Sequence, residues 1–338
     1  MPNLVSTNLA KAQAKLLGQF QAGELRFREP VLFKKLLSYA QIMFPDYNGL
    51  RTSESRAVEA GYILRSQRAL GSARSHNHTG AKGDSGILTP TWTVYDDLFL
   101  TTLKGGDNNT YNNAEILNGE LQNVVANFSE GLESASADFI FNNRSTTNAA
   151  TADGTFDGVT DTFQITEATA GNRAIQITKS MMHENKYNGR YVVVCDTVAF
   201  NKFEFYANQG GGNSENLSFQ FSGVEFIHSV EMNALAAGLT LTDGFWAAVP
   251  EGMAAALPWI PSINRQGATT TVNTYGTIAN PIDGLSYAIH SYEERIDGTP
   301  LNTETQDTKT EFQVSLDVAF DHAPLSGGDT PILAATFI

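Results

Sequence analysis

One apolar stripe governs what this chain can fold into. Ile116, Leu117, Leu121, Val124, Val125, Phe128, Leu132, Ala135, Phe139 and Ile140 recur at spacings of three and four, the pattern of a helix with one buried side. Glu115, Gln122, Glu130, Glu133 and Asp138 mostly avoid the stripe. Asn112, followed three residues later by Glu115, has the spacing of a helix cap with a reciprocal acidic partner. From Asn112 to Asn142, at about 1.5 Å per residue, the run makes a rod of roughly 45 Å. The rest of the 338 residues has to be arranged around it.

Elsewhere the pattern shifts between periods. Leu9, Leu16, Leu17 and Phe20 predict a helix over Leu4 to Phe20 closed by Gly23; Pro30 opens a second one, carrying Leu32, Leu36, Leu37 and Ile42 to Phe44. Leu88, Trp92, Val94, Leu98, Leu100 and Leu103 read as extended structure entering the core. Phe156, Val159, Phe163 and Ile165 suggest short hairpin strands, and Ile175 to Tyr187 a helix. Tyr191 to Cys195 is continuously apolar, as a strand covered on both faces would be, with Asp196 or Thr197 placed to cap the helix after it. Phe312, Val314, Leu316, Val318 and Phe320 alternate strictly with Gln313, Ser315, Asp317, Ala319 and Asp321, which predicts a strand with one face buried. Ile332, Leu333, Phe337 and Ile338 imply a docked end.

Charge narrows the function classes. Lys and Arg number 22 against 36 Asp and Glu, a net charge of -14, which opposes a phosphate-gripping role because such binding needs clustered cations. Charged residues make up only 17% of the chain, below the roughly 25% of ordinary soluble domains, so much of the surface is expected to be hidden against partners. One segment departs from the acidic balance. Between Arg51 and Gly83, six cations (Arg51, Arg56, Arg65, Arg68, Arg74 and Lys82) face only Glu54 and Glu59, a local +4. Its second half, Gly71 to Gly86, holds Gly, Ser, Asn and His with almost nothing to bury, a composition expected of a loop that is functional or packed on another molecule.

Cys195 is the single cysteine, so no intrachain disulfide is expected. Met1 to Gln13 lacks the apolar core of a signal peptide and no run approaches a membrane span; the chain is expected to fold in a reducing cytoplasm, and its Asn-x-Ser/Thr sequons to be accidental. Enzyme patterns are missing. His76, His78 and Asp84 offer no third ligand at a recognised metal spacing; Asp153, Asp157 and Asp161 lack the alternate ligands of a calcium loop and fit Asp-Gly turns; Cys195 at the end of a buried strand is expected to be inert. No catalytic, cofactor-binding or metal-ligating residue is assigned.

The order of parts is more specific than any motif. A helical arm, a basic extended loop, a strand, one long helix, a compact mixed region and a returning strand together resemble the major capsid proteins of tailed bacteriophages, an α+β fold of the Hong Kong 97 type. Leu88 to Leu103 leading into Asn112 to Asn142 resembles the strand and spine helix of the peripheral domain. Tyr191 to Asp196 followed by a helix is similar to the first core unit of the axial domain, Phe221 to Ser229 resembles the Gly-then-apolar strand after it, and Phe312 to Asp321 resembles the last peripheral strand. The resemblance implies an arm over residues 1–49, an extended loop over 50–87, peripheral strand and spine helix over 88–145, an axial domain over 146–295, and returning peripheral strands and the C-terminus over 296–338.

It further implies a structural, non-enzymatic subunit of an icosahedral head, found in the virion and made in the host cytoplasm. Its partners would be copies of itself in pentamers and hexamers, scaffold, portal and decoration proteins, and packaged double-stranded DNA held without sequence-specific contacts; no membrane is involved. Arg51, Arg56, Arg65, Arg68, Arg74 and Lys82 would contact a neighbouring subunit. The arm starting almost at Met1 implies a separate scaffold or self-sufficient assembly. Relatives that self-crosslink need a loop Lys with a partner Asn and Glu; Lys82 is the only Lys between Lys35 and Lys104, but no Asn or Glu matches, so no such role is carried over. An encapsulin-like compartment shell shares the fold, and a β-rich enzyme with scattered carboxylates is the alternative from another class.

Overall fold

A computed structural model describes residues 4–24, 27–64, 84–102, 113–151, 153–209, 223–270, 272–296, 307–325 and 329–338. The N-terminal part forms α1 (Leu4–Gln21), α2 (Val31–Ser38), α3 (Ala40–Met43) and α4 (Tyr47–Thr52). The single helix expected from Pro30 to Phe44 is interrupted at Tyr39, whose N–H turns back to the carbonyls of Leu36 and Leu37. Strands β1 (Ala60–Leu64), β2 (Asp84–Leu88) and β3 (Trp92–Thr102) follow, then α5 (Asn113–Asn142), which realises the long amphipathic run; its expected cap, Asn112, lies outside the described residues.

The chain continues as β4 (Thr155–Asp157), β5 (Thr162–Ile165), α6 (Glu167–Ala170), α7 (Ala174–Glu184), β6 (Tyr191–Cys195), α8 (Thr197–Gln209), β7 (Val224–His228), α9 (Glu231–Gly238) and β8 (Phe245–Pro250). It ends with β9 (Ala254–Trp259), α10 (Ser262–Gln266), β10 (Asn273–Ala279), β11 (Ser286–Ile296), β12 (Asp307–His322) and β13 (Leu333–Phe337).

Two sheets organise these elements. In the first, antiparallel strands run β10-β11-β12-β3, and β9 also pairs with β12. Its inner face carries Phe312, Val314, Leu316 and Val318 and packs on Leu121, Val124, Val125, Phe128 and Leu132 of α5. Aromatic stacks fix that contact, Phe128 on Tyr287 at 4.6 Å and Phe139 on Phe320 at 5.6 Å, while Phe99 on Phe312 at 4.9 Å joins β3 to β12 within the sheet; such a geometry adds about 0.5–1.5 kcal/mol per pair beyond burial. α1 closes another side of α5 with Ala12 and Leu16.

β12 departs from the expectation of one buried face. Near its C-terminal end the second face is covered as well: Ala319 packs in a cluster with Ala40, Phe44, Tyr47, Leu50, Val58 and Trp259, and Asp317 beside it is buried. The segment carrying α3 and α4 wraps over the sheet there, which alternation within β12 alone could not show.

The second sheet runs β4-β5-β13-β8-β6-β7, with β6 parallel to β7, β13 parallel to β5 and the other pairs antiparallel. All five residues of β6 are buried, because α7 and α8 cover one face through Ile175, Met181, Met182, Ala199 and Phe203 while Val192 and Val194 face the α5 core. Asp196 caps α8 as its sequence position predicts: Oδ1 accepts the Ala199 N–H at 2.6 Å, and Oδ2 accepts the Phe245 N–H of β8 at 2.9 Å. Gly244, at φ +115°, lets the chain pass α8; a Cβ there would sit 3.0 Å from the Ala199 nitrogen.

Strand pairing runs across the boundary placed between residues 295 and 296. β11 hydrogen-bonds with β12 in the first sheet and carries β10 on its other edge, whereas β13 joins the second. The crossing begins at β8 and β9, which belong to different sheets although only the Glu251–Met253 turn separates them. The terminal residue is held by its backbone, its N–H donating to Ile165 at 3.0 Å and its carbonyl accepting from Glu167 at 3.1 Å, while the Ile338 side chain remains exposed.

Candidate assembly surface

The stretches that flank residues 65–83 pair as a two-stranded antiparallel ribbon. β1 and β2 pair from Ala60 opposite Leu88 to Leu64 opposite Asp84. That register places Ile63 and Ile87 on one face, with Gly61 and Ser85, and both isoleucines stand in water, Ile63 being 84% exposed and Ile87 62%. On the other face Tyr62 lies across Gly86, in the space a Cβ would take. The base is anchored, since Ala60, Leu88 and Trp92 pack against the Trp259 cluster. Isolated two-stranded ribbons are marginal in water, and each exposed isoleucine forgoes about 1.5–3 kcal/mol of burial.

A second face, exposed among the described residues, lies beside it. β3 turns Tyr95 and Phe99 toward the core, so Val94, Leu98 and Leu100 point outward and are exposed, Leu98 at 69%. This reverses the expectation that Val94, Leu98 and Leu100 enter the core; both alternating sets of β3 are apolar, and the aromatic set wins the inner face by stacking on Phe312. Acidic and polar groups interleave with the stripe. Asp96 accepts a hydrogen bond from Gln313 Nε2 at 3.0 Å, and Glu311 sits opposite Leu100.

Of the six cations singled out in the sequence, Arg65, Arg68, Arg74 and Lys82 lie outside the described residues. Arg51 is exposed on α4, its carbonyl accepting from the Arg265 guanidinium. Arg56 turns inward at the ribbon base, where Nη1 donates to Asp317 Oδ2 at 3.0 Å and the guanidinium lies 5.9 Å from the Trp259 ring centre. Burial raises the Asp317 carboxyl against the lowering effect of Arg56. Asp317 looked like one more solvent-side residue of an alternating strand; only the wrapped segment above it reveals its role.

Asp157, Cys195 and Asp84, weighed as chemistry in the sequence, are among the described residues. Asp157 accepts the Val159 N–H at 3.0 Å, the Thr160 hydroxyl at 2.8 Å and Gln164 Nε2 at 3.1 Å, and the Val159 and Thr160 hydrogen bonds hold its carboxyl below the usual range. These bonds make the β4–β5 turn. Cys195 is fully buried, and burial pushes its thiol well up. His76 and His78 lie outside the described residues; Asp84 opens β2 and accepts the Ser85 N–H.

No family model and no curated protein matches the chain. Solved structures do. The capsid asymmetric unit of cyanophage Pam1 superposes with a TM-score of 0.51 at 10% identity, covering 86% of this chain and 87% of that one. The fold is that of a phage capsid subunit. The mature capsid of bacteriophage PhiM1 is also similar, with a TM-score of 0.44 at 13% identity over 85% of this chain and 83% of its own. The capsid fold accounts for the order of helical arm, strand, long helix, compact mixed region and returning strand read from the sequence. Among the described residues no helix is long and apolar enough to cross a membrane.

Proposed function

We propose that this chain is a self-assembling structural subunit of an icosahedral phage head that encloses double-stranded DNA. The capsid fold over 86% of its length carries the reading, and the ribbon with its two exposed isoleucines supports it. A shell subunit binds copies of itself in pentamers and hexamers through head-to-tail contacts that close into rings. Each contact can be modest, because later ones form at high effective concentration. Scaffold, portal and decoration proteins are the further partners of such a head, assembled in the host cytoplasm.

In this reading the ribbon of one subunit lies on the outer sheet face of the next. Ile63 and Ile87 meet the Val94, Leu98 and Leu100 stripe, and Arg51, Arg65, Arg68, Arg74 and Lys82 approach Asp96 and Glu311. Charge complementarity of this kind sets register and encounter rate more than affinity. Negative-stain imaging of the purified chain tests the shell role: closed shells or capsomer rings are expected, and discrete small particles overturn it. Reversing Arg65, Arg68 and Arg74 to Glu tests the loop contact separately, with assembly expected to fail; unchanged shells would remove the contact and leave the shell role standing.

A further inference from the structure

The first turn of α2 has no cap of its own. Pro30 stands at the N-cap position and supplies no side-chain hydrogen bond, so the opening N–H groups need an acceptor from elsewhere. It comes from α5. Oε2 of Glu133 accepts the N–H of Leu32 at 2.9 Å and of Phe33 at 3.3 Å, across about a hundred residues of sequence. Glu133 is 2% exposed, although its charge placed it with the residues that mostly avoid the buried stripe.

Every element around this carboxyl contributes a defined group. α2 offers the two amides. The turn before α9 offers Ser229, whose buried hydroxyl has no hydrogen bond of good geometry yet lies close enough to favour the charged carboxylate. The linker before α2 offers Arg28, the cation that acts on Glu133, but its guanidinium is engaged by Glu231 of α9 at 2.7 Å. The amides and the helix dipole favour the anion; removal from water disfavours it. Burial is the larger effect, and the carboxyl is held above its ordinary 4.5.

We propose that Glu133 is a proton-sensitive latch between the arm and the long helix, so that docking of residues 27–52 tightens when its carboxyl is neutral and loosens when it ionises. The neutral acid keeps a carbonyl oxygen for the α2 amides and gains an O–H that Ser229 Oγ can accept; the proton comes from solvent. A carboxyl that binds its proton more tightly in the docked state contributes most below its ordinary value, and that contribution is lost as pH rises through the docked-state value.

Hydrogen exchange of the full chain, read by mass spectrometry and corrected for intrinsic rates, tests the latch. Peptides covering α2 in the native protein are expected to lose protection several-fold as pH rises from 4.5 to 8. Glu133→Gln, a neutral acceptor at every pH, is expected to give high and flat protection, and Glu133→Ala to be about ten-fold less protected throughout, the size of a lost cap. Glu133→Gln as labile as Glu133→Ala would overturn the proposal, as would native protection that tracks Glu133→Gln across the range. If Glu133→Ala does not fold, the native and Gln curves alone decide.

Discussion

Buried carboxylates hold elements and turns of this chain together. Asp196 ties α8 to β8 through two backbone amides, Asp317 ties the ribbon base to β12 through Arg56, and Asp283 accepts from the Leu285 N–H and the Tyr287 hydroxyl at the turn between β10 and β11. Each is held above the usual carboxylate range by burial, and each has hydrogen bonds that repay part of that cost. Asp196→Ala removes a helix cap and strands the Phe245 amide; a loss of about 2–3 kcal/mol is expected in chemical denaturation. Asp196→Asn, which keeps an acceptor, should lose less. A value near zero for the alanine variant would mean that water reaches both amides. Of these residues only Asp196 announced itself in the sequence, since capping is a local rule; Glu133 and Asp317 acquire their partners from segments more than a hundred residues away.

At the scale of elements, local periodicity was a good guide wherever one partner decides which face is buried. The α5 stripe and the continuous run of β6 emerged where expected, as did the span of β12, though not its single buried face. It failed for β3, where apolar residues occupy both faces and the choice fell to the aromatic stack of Phe99 on Phe312. It was silent on the ribbon, because β1 and β2 pair across an interval with too little apolar content to mark a hairpin. The surplus apolar residues are the more telling for that. Ile63→Asp combined with Ile87→Asp should leave the thermal midpoint of the unassembled subunit almost unchanged, within about 0.5 kcal/mol of stability as for other exposed positions. The same pair should cut the assembled fraction severely in sedimentation. If this double variant assembles normally, the ribbon contact is wrong.

For the whole molecule, charge is spread unevenly, a basic segment within an acidic chain. α5 turns Glu115, Glu130 and Asp138 to solvent, and at a net charge of -14 the protein has few cations to release phosphate counterions. Free subunits are therefore expected to show no sequence-independent DNA binding in a gel shift at moderate salt. A retained duplex, weakening steeply with added salt, would contradict this. The arm is fastened to the body by Arg28 with Glu231 and Lys35 with Glu225, pairs exposed enough to be worth at most about 1 kcal/mol each.

The place of β13 has a consequence for the order of events on the ribosome. It lies between β5 and β8 inside the second sheet, yet its residues are made roughly 80 positions after β8, a delay of several seconds to more than ten at ordinary translation speeds. Through that interval β5 and β8 each carry an open edge, of the kind that recruits stray strands. A nascent chain thus stays unable to complete its sheet until synthesis has passed β13, so a chain stopped short of that point keeps both of those edges open.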